Sequence, residues 1–337
     1  MRDVAERAGV SSMTVSYVIN GRKVSEKNRA AVLAAIEALG YAPNPVARAL
    51  ASASAVRIGL LYQEYEGRTH GYLGELLVGA VRASTDLGVQ LVIHRCETDP
   101  HAASSSIRNL IRRGVNGVLL PAQFAHVLEG STEFATLGMP AIVLAPGGAT
   151  VSMPSIGIDD FEAAAAITKL LIAQDHRRIG FLHGLAIHPA SRTRYLGFIS
   201  ALAEAGIRHD AELVARGNFV FKDALPAAAE LLDREDPPTA IFAANDEMAA
   251  ALVSVAHRRG LRIPADLAIA GFDDAPIATQ IWPTLTTVRQ PLAEMAARGV
   301  EYLLGALNKG EKSRPPEHIE VPFQIIERES TGPRLAL

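Results

Sequence analysis

From residue 57 onward the sequence alternates between two textures, and this alternation restricts the fold more than any other feature. Short runs rich in leucine and β-branched residues, RIGLLY (57–62), VQLVIH (89–94), GVLLP (117–121), AIVLA (141–145), RRIGFLH (177–183), TAIFAA (239–244) and LAIAGF (267–272), are separated by longer, alanine-rich helical stretches. Runs that are apolar on both faces and separated by helices read as parallel strands covered by helices on each side. The pattern also repeats. Arg57-Ile58-Gly59-Leu60-Leu61 returns as Arg178-Ile179-Gly180-Phe181-Leu182, an offset of 121. The strand holding Val118 corresponds to that holding Ile241, and Leu137-Gly138 to Arg259-Gly260, at offsets of 123 and 122. Three landmarks in order at a nearly constant offset imply two lobes of one design. The expected class is α/β, a two-lobed body of doubly wound parallel sheets. A ligand is expected in the cleft where the carboxyl ends of the strands meet.

With 337 residues, 49% apolar and 20% charged, the chain can bury cores for two or three domains. Its longest apolar runs, ending at Leu61, Leu120 and Ala145, fall well short of the roughly 20 residues that a bilayer span needs. Charges in MRDVAERAGV occupy the place of a leader's apolar core, and the lone Cys96 cannot form an intrachain disulfide or a cysteine-rich metal site. A cytoplasmic protein without membrane partner, metal or cofactor is expected. The net charge of -3 conceals a division: residues 1–50 carry seven bases and four acids, a net +3, which leaves -6 on the remainder. Such asymmetry marks a small cationic module on an acidic body.

That module, residues 3–39, reads as three helices: Asp3 to Ala8, stopped by Gly9; Ser12 to Asn20; and Glu26 to Leu39, with Ser25 as N-cap and Gly40 past its end. On a helical wheel, Val15, Val18 and Ile19 of the second helix fall on one side, with Met13, Ser16 and Tyr17 opposite them beside Ser12. Such a helix serves either as the reading helix of a helix-turn-helix or as one member of a small three-helix bundle with a solvated polar face. Asn44 as cap and Pro45 at the first helical position allow a short helix through Leu50, too short to be stable unless something packs on it.

DVAERAGVSSMTVSYVIN, followed by VSEKNRAAVLAAIEALGYAPNPVARALA, resembles the DNA-binding head and hinge of the lactose-repressor (LacI/GalR) family of bacterial transcription regulators. The resemblance continues in order through SIGIDD, HRRIGFLHG, RYLGFISALAEAGI, AIFAANDEMA, IPADLAIAGFDD, LTTVRQPLAEMA and ERES, nearly the whole chain. It implies a helix-turn-helix head over 1–43 and a hinge helix and linker over 44–55. It also implies a periplasmic-binding-protein-like body with a first lobe over 56–159 plus about 290–317 and a second over 160–289 plus 318–332. Double-stranded palindromic operator DNA, a small-molecule effector and a second copy of the chain are the implied partners. Ser12, Met13 and Tyr17 match base-reading positions; many members carry Arg where this chain has Tyr17, which changes the base that can be read. Thr14, Ser16, Asn20, Arg22, Lys27, Arg29 and Asn44 are the implied phosphate contacts. Leu50, with Ala47, matches the hinge element that wedges the minor groove. Only Met1 and Arg2 precede Asp3, fewer residues than members usually carry, so the first helix lacks an evident cap.

For the effector the resemblance implicates Arg194, Asn245 and Asp273, each just beyond a second-lobe strand, whose chemistry suits a polyol. Each also has a plain structural use: Arg194 as an ion-pair partner, Asn245 as a helix cap, Asp273 in a turn. Phe219 and Tyr72 are the candidate stacking rings, with Trp282 a third; a core role is the alternative. Ala145-Pro146 stands where many sugar-binding members have an acidic residue, and Gln63, Glu64, His70 and Gln123 are the possible substitutes. The expected function is a repressor controlled by a sugar or glycoside, with a nucleobase or other metabolite as the alternative effector. A transporter's solute-binding protein would share the body but not the head. An enzyme is disfavoured: the sequence holds no phosphate loop, HExxH or nucleophile elbow, and His183 and His188, near the cleft, have no nucleophile placed beside them. The residues after Ser330 are too few for the heptads of a tetramer-forming coiled coil, so a dimer is expected.

Overall fold

A computed structural model of the chain describes residues 2–19, 24–39, 56–63, 71–97, 99–148, 151–308 and 317–333. Asn20, Arg22, Asn44, Ala47, Leu50, Glu64 and His70, together with the expected hinge helix, lie outside the described residues. The chain divides into two units, residues 1–55 and 56–337.

In the first unit, α1 (Arg2–Ala8), α2 (Ser12–Ile19) and α3 (Glu26–Leu39) enclose a small core of Val4, Ala5, Val15, Val18, Val32 and Ala35. Gly9, at φ +65°, ends α1 in a conformation that disfavours a β-carbon. The Ser11 hydroxyl then accepts from the Thr14 amide at 3.1 Å, so the cap of α2 lies one residue ahead of the helix. Ser25 plays the same part for α3, accepting from the Asn28 amide at 3.4 Å. The wheel is realised: Val15 and Val18 are buried, Ser12 and Met13 exposed, and Thr14, Ser16 and Tyr17 half-buried. Lys27 is exposed and Arg29 half-buried on α3.

The second unit holds two six-stranded sheets. The first lobe comprises β1 (Arg57–Tyr62), α4 (Gly71–Asp86), β2 (Gln90–Arg95), α5 (Pro100–Arg112), β3 (Gly117–Pro121), α6 (Ala122–Leu128), α7 (Thr132–Leu137), β4 (Ala141–Leu144) and β5 (Ser155–Gly157). The chain then crosses into the second lobe, where α8 (Asp160–Ala173), β6 (Ile179–His183), α9 (Pro189–Glu204), β7 (Val214–Arg216), α10 (Phe221–Leu232), β8 (Ala240–Ala243), α11 (Asp246–Arg258), β9 (Ala268–Asp273), α12 (Ile277–Gln280) and β10 (Thr286–Arg289) follow. It returns to the first lobe for α13 (Leu292–Asn308) and β11 (His318–Glu320), and crosses a third time for β12 (Gln324–Ile326). The sheet orders are β11-β5-β4-β3-β1-β2 and β12-β10-β9-β8-β6-β7, parallel throughout except β12, which runs antiparallel to β10.

The repeated Arg-Ile-Gly pattern falls at one register in both sheets: Gly59 lies opposite Val118, and Gly180 opposite Ile241. Strands such as Gly117–Pro121 and Ala240–Ala243 are buried along their whole length because helices cover both faces, which is why they carry no polar alternation. The last crossing falls later than the sequence implies. A boundary at about 317 would assign residues 318–320 to the second lobe, yet β11 pairs with β5 of the first sheet and His318 Nδ1 bonds the Ser155 hydroxyl at 2.9 Å.

Candidate functional site

The lobes enclose a cavity of about 140 Å³ at the carboxyl ends of their strands. From the first lobe it is lined by Gly71, Tyr72, Ala122, Gln123 and Ala145; from the second by His188, Ala190, Arg194, Phe219, Asn245, Glu247, Asp273 and Ala275; Gln290, at the second crossing, completes it.

Arg194, on the second turn of α9, is almost wholly buried, and its guanidinium is fixed through Nε, Nη1 and one face. Nε donates to Asp160 Oδ1 at 2.8 Å, Nη1 donates to the Ala244 carbonyl at 2.6 Å and lies 3.6 Å from Asp273 Oδ1, and the group sits 3.5 Å from the centroid of the Phe272 ring. Burial pushes the carboxyls of Asp160 and Asp273 upward against the pull of Arg194; Asp273 reaches about 6. Gln290 Nε2 also donates to Asp273, at 2.6 Å.

Asp273 and Asp274, at the end of β9, both have positive φ, 109° and 54°, a region Asp enters at less cost than most residues. The turn is secured from outside the cavity. Asp274 accepts from Arg289 Nε and Arg328 Nη2, each at 2.6 Å, and its side chain is only 8% exposed. Ion-pair and turn roles therefore accompany cavity placement rather than compete with it. Asn245 behaves likewise: Oδ1 accepts from the Met248 amide at 3.0 Å as the cap of α11, while Nδ2 donates to the Phe219 carbonyl at 3.3 Å. Phe219, at φ +61° after Asn218 at +54°, lays its ring over Gly184, where a β-carbon would overlap it, and meets His188 edge-on with centroids 5.8 Å apart. Next to Asn245, Asp246 is fully buried; Oδ1 accepts from the Thr287 hydroxyl at 2.6 Å and Oδ2 from the Ala275 amide at 2.8 Å, fixing the far wall. Burial, then Asp273, raises the Tyr72 phenol and the Glu247 carboxyl above their ordinary values.

Of the residues expected from the sequence, Tyr72, Arg194, Phe219, Asn245 and Asp273 come together in this cavity, and Gln123 joins them from the first-lobe candidates. Trp282 does not. It is 73% exposed and stacks on His257, with centroids 5.7 Å apart, because the loop after α12 turns its ring to the outer surface. Gln63 is not among the lining residues, and of the two histidines His188 lines the cavity while His183 packs between Phe181 and Tyr195. Glu247 and Gln290 were missed. Both were within reach of the strand-end rule, one in the turn of α11 that follows β8 and the other directly after β10. Among the described residues no group of histidine, cysteine and carboxylate side chains is arranged to hold a metal, and no helix is long and apolar enough to cross a membrane.

A helix-turn-helix unit and a two-lobed unit with a polar cavity at the strand ends define a class, the DNA-binding regulator with a periplasmic-binding-protein-like body. The family model for bacterial regulatory proteins of the lacI family matches residues 1–44, and that for the periplasmic binding protein-like domain matches residues 168–331. The chain is 31% identical to the HTH-type transcriptional repressor PurR of Pasteurella multocida over 99% of both chains. Its fold matches a lac repressor dimer bound to operator and the anti-inducer ONPF with a TM-score of 0.76, at 27% identity over 98% of each chain. It matches a complex of the regulator CelR with cellobiose with a TM-score of 0.72, at 29% identity over 98% of each chain. The chain belongs to the LacI family of helix-turn-helix transcriptional regulators, which are not enzymes.

Proposed function

We propose that this regulator is a cytoplasmic repressor which binds a palindromic operator as a homodimer and whose affinity for it is set by an uncharged saccharide or glycoside between the lobes. The arrangement of Arg194, Asn245 and Asp273 around one cavity, with the Phe219 ring beside them, carries this reading. Guanidinium, amide and carboxylate together supply donors and acceptors for adjacent hydroxyls, and a ring face suits the apolar side of a sugar. The charge balance favours a neutral ligand. Among the described lining residues Arg194 is the one Lys or Arg, Asp160 already pairs with it, and Asp273 and Glu247 add two further carboxylates, so these groups would repel a phosphate or carboxylate ligand. The saccharide complex of CelR supports the same class.

On the head, Ser12, Met13 and Tyr17 are the proposed base-reading side chains, with Thr14, Ser16, Lys27 and Arg29 on phosphates. Effector binding that favours one lobe arrangement must, by linkage, alter operator affinity by the same factor that operator alters effector affinity. Fluorescence anisotropy with the DNA upstream of the protein's own gene, with and without saccharides that raise the melting temperature, tests this. Salt-sensitive specific binding that shifts on adding the stabilising sugar is expected; the absence of any sequence-specific binding would count against the reading.

A further inference from the structure

Asp246 opens α11 directly after Asn245, yet it does not line the cavity; its side chain is fully buried and reaches β9 and β10 instead. A buried carboxyl is costly unless donors meet it, and here they do. Oδ1 accepts from the Thr287 hydroxyl at 2.6 Å, and Oδ2 from the Ala275 amide at 2.8 Å. Thr287 Oγ1 accepts in turn from the Asp274 amide at 3.4 Å, so one carboxyl serves both residues that follow Asp273. Gly271, which lies opposite Thr287 in the sheet, makes room for it: a β-carbon there would overlap Oδ1.

These contacts bracket the turn that carries Asp273. With φ of 109°, Asp273 lies outside the small left-handed region open to residues with a side chain, and Asp274 follows at 54°. Backbone held in such a state persists only where its surroundings over-determine it. Arg289 and Arg328 grip the Asp274 side chain. Asp246 holds the backbone of the same turn, seated over Gly271 two residues before Asp273 and bonded to Ala275 two residues after it. Asp273 and Ala275 both line the cavity, so the buried carboxyl fixes a stretch of wall in which it has no part itself.

We propose that Asp246 is a positioning residue of the effector site, holding the turn from Asp273 to Ala275 so that the Asp273 carboxyl faces the ligand. This rests on the cleft being the saccharide site. Without the Asp246 carboxyl, the Ala275 amide and the Thr287 hydroxyl lose a buried acceptor, the turn relaxes toward ordinary dihedrals, and Asp273 moves off the ligand hydroxyls. Asp246 thus acts on the ligand through Asp273. Gly271 belongs to the same arrangement, since its missing side chain is the seat of the carboxyl. It stands in β9 without a positive φ, so Gly271→Ala would displace the carboxyl while leaving every cavity side chain in the sequence.

Two measurements on the full chain test this. Hydrogen exchange without ligand is expected to show the 272–276 segment of Asp246→Ala exchanging at least tenfold faster, with α8, α9 and β6 unchanged. Calorimetric titration then uses the tightest binder among glucose, galactose and cellobiose. Asp246→Ala is expected to weaken it at least tenfold in the wild-type background but less than threefold in an Asp273→Asn background, because the residue acts through Asp273. Gly271→Ala is the second variant, expected to move exchange and affinity in the same direction should Asp246→Ala fail to fold. Unchanged exchange of the turn in a folded variant would overturn the proposal, as would an affinity loss equal in the two backgrounds, which marks a merely structural carboxyl. A panel in which no sugar binds the wild type would remove the saccharide reading, and with it the role claimed for Asp246, even where the turn loosens; unchanged exchange with intact sugar binding removes this proposal alone.

Discussion

Burial raises the Asp273 carboxyl to about 6, and this has two consequences of opposite sign. Between the ordinary carboxylate value of 3.8 and about 6 the folded chain holds a proton that the unfolded chain has released. The group's contribution to stability is therefore greatest at the acid end of that window and declines as pH rises through it. Ligand hydroxyls that donate to the ionised carboxylate reverse the trend for binding: saccharide affinity is expected to rise severalfold from pH 5 to pH 7, and Asp273→Asn to flatten the profile in calorimetric titrations. Gly184 sets a second residue-scale constraint. A β-carbon there overlaps the Phe219 ring, so Gly184→Ala is expected to cost about 1–3 kcal/mol in urea denaturation and to weaken saccharide binding as the ring is displaced. At this scale the sequence is readable where a polar residue ends an apolar run, as Asn245 does after TAIFAA and Asp273 after LAIAGF. It misleads for Trp282, since an isolated indole carries no mark of whether its loop faces the cleft or the surface.

Among the elements, caps and strand-end turns decide whether the site is held. The Ser11 hydroxyl satisfies an otherwise free amide at the start of α2, so Ser11→Ala is expected to destabilise the head by about 1 kcal/mol. Hydrogen exchange of the full chain would register this as faster exchange in α2 and α3, with the body unchanged. The β9 turn is more demanding. Asp274 is nearly buried and receives two arginines, one from the end of β10 and one from the stretch after β12, so Asp274→Asn leaves Arg328 short of its counter-charge. A loss of roughly 3 kcal/mol is expected by urea denaturation. Helix and strand identities are legible from periodicity where a strand is an uninterrupted apolar run, as β3, β4 and β8 are. β11 is not: His-Ile-Glu offers one apolar residue, and only its pairing with β5 reveals to which lobe it belongs.

For the whole molecule, α4 exposes Val78 and Val81, and nearby segments expose Leu87 and, on the edge strand β2, Ile93, with Val81 and Ile93 each about half exposed. A dimer that buries this face is expected by light scattering coupled to size exclusion. Val81→Asp is expected to shift the protein toward monomer and to weaken operator binding at least tenfold, since two heads must engage two half-sites together. The two-lobed plan is legible because the lobes repeat one another; the pairing of surfaces between copies is not, because a half-exposed valine on a helix reads the same whether water or a partner meets it. The threading of the body reaches beyond folding. A single junction near residue 55 separates head from body, whereas the chain passes between the lobes three times, after β5, β10 and β11. One genetic exchange can therefore give this body a new operator, but no single exchange can give it a new lobe. Over evolutionary time, heads and whole bodies can be shuffled between relatives, whereas the two lobes of one body have to change together, substitution by substitution.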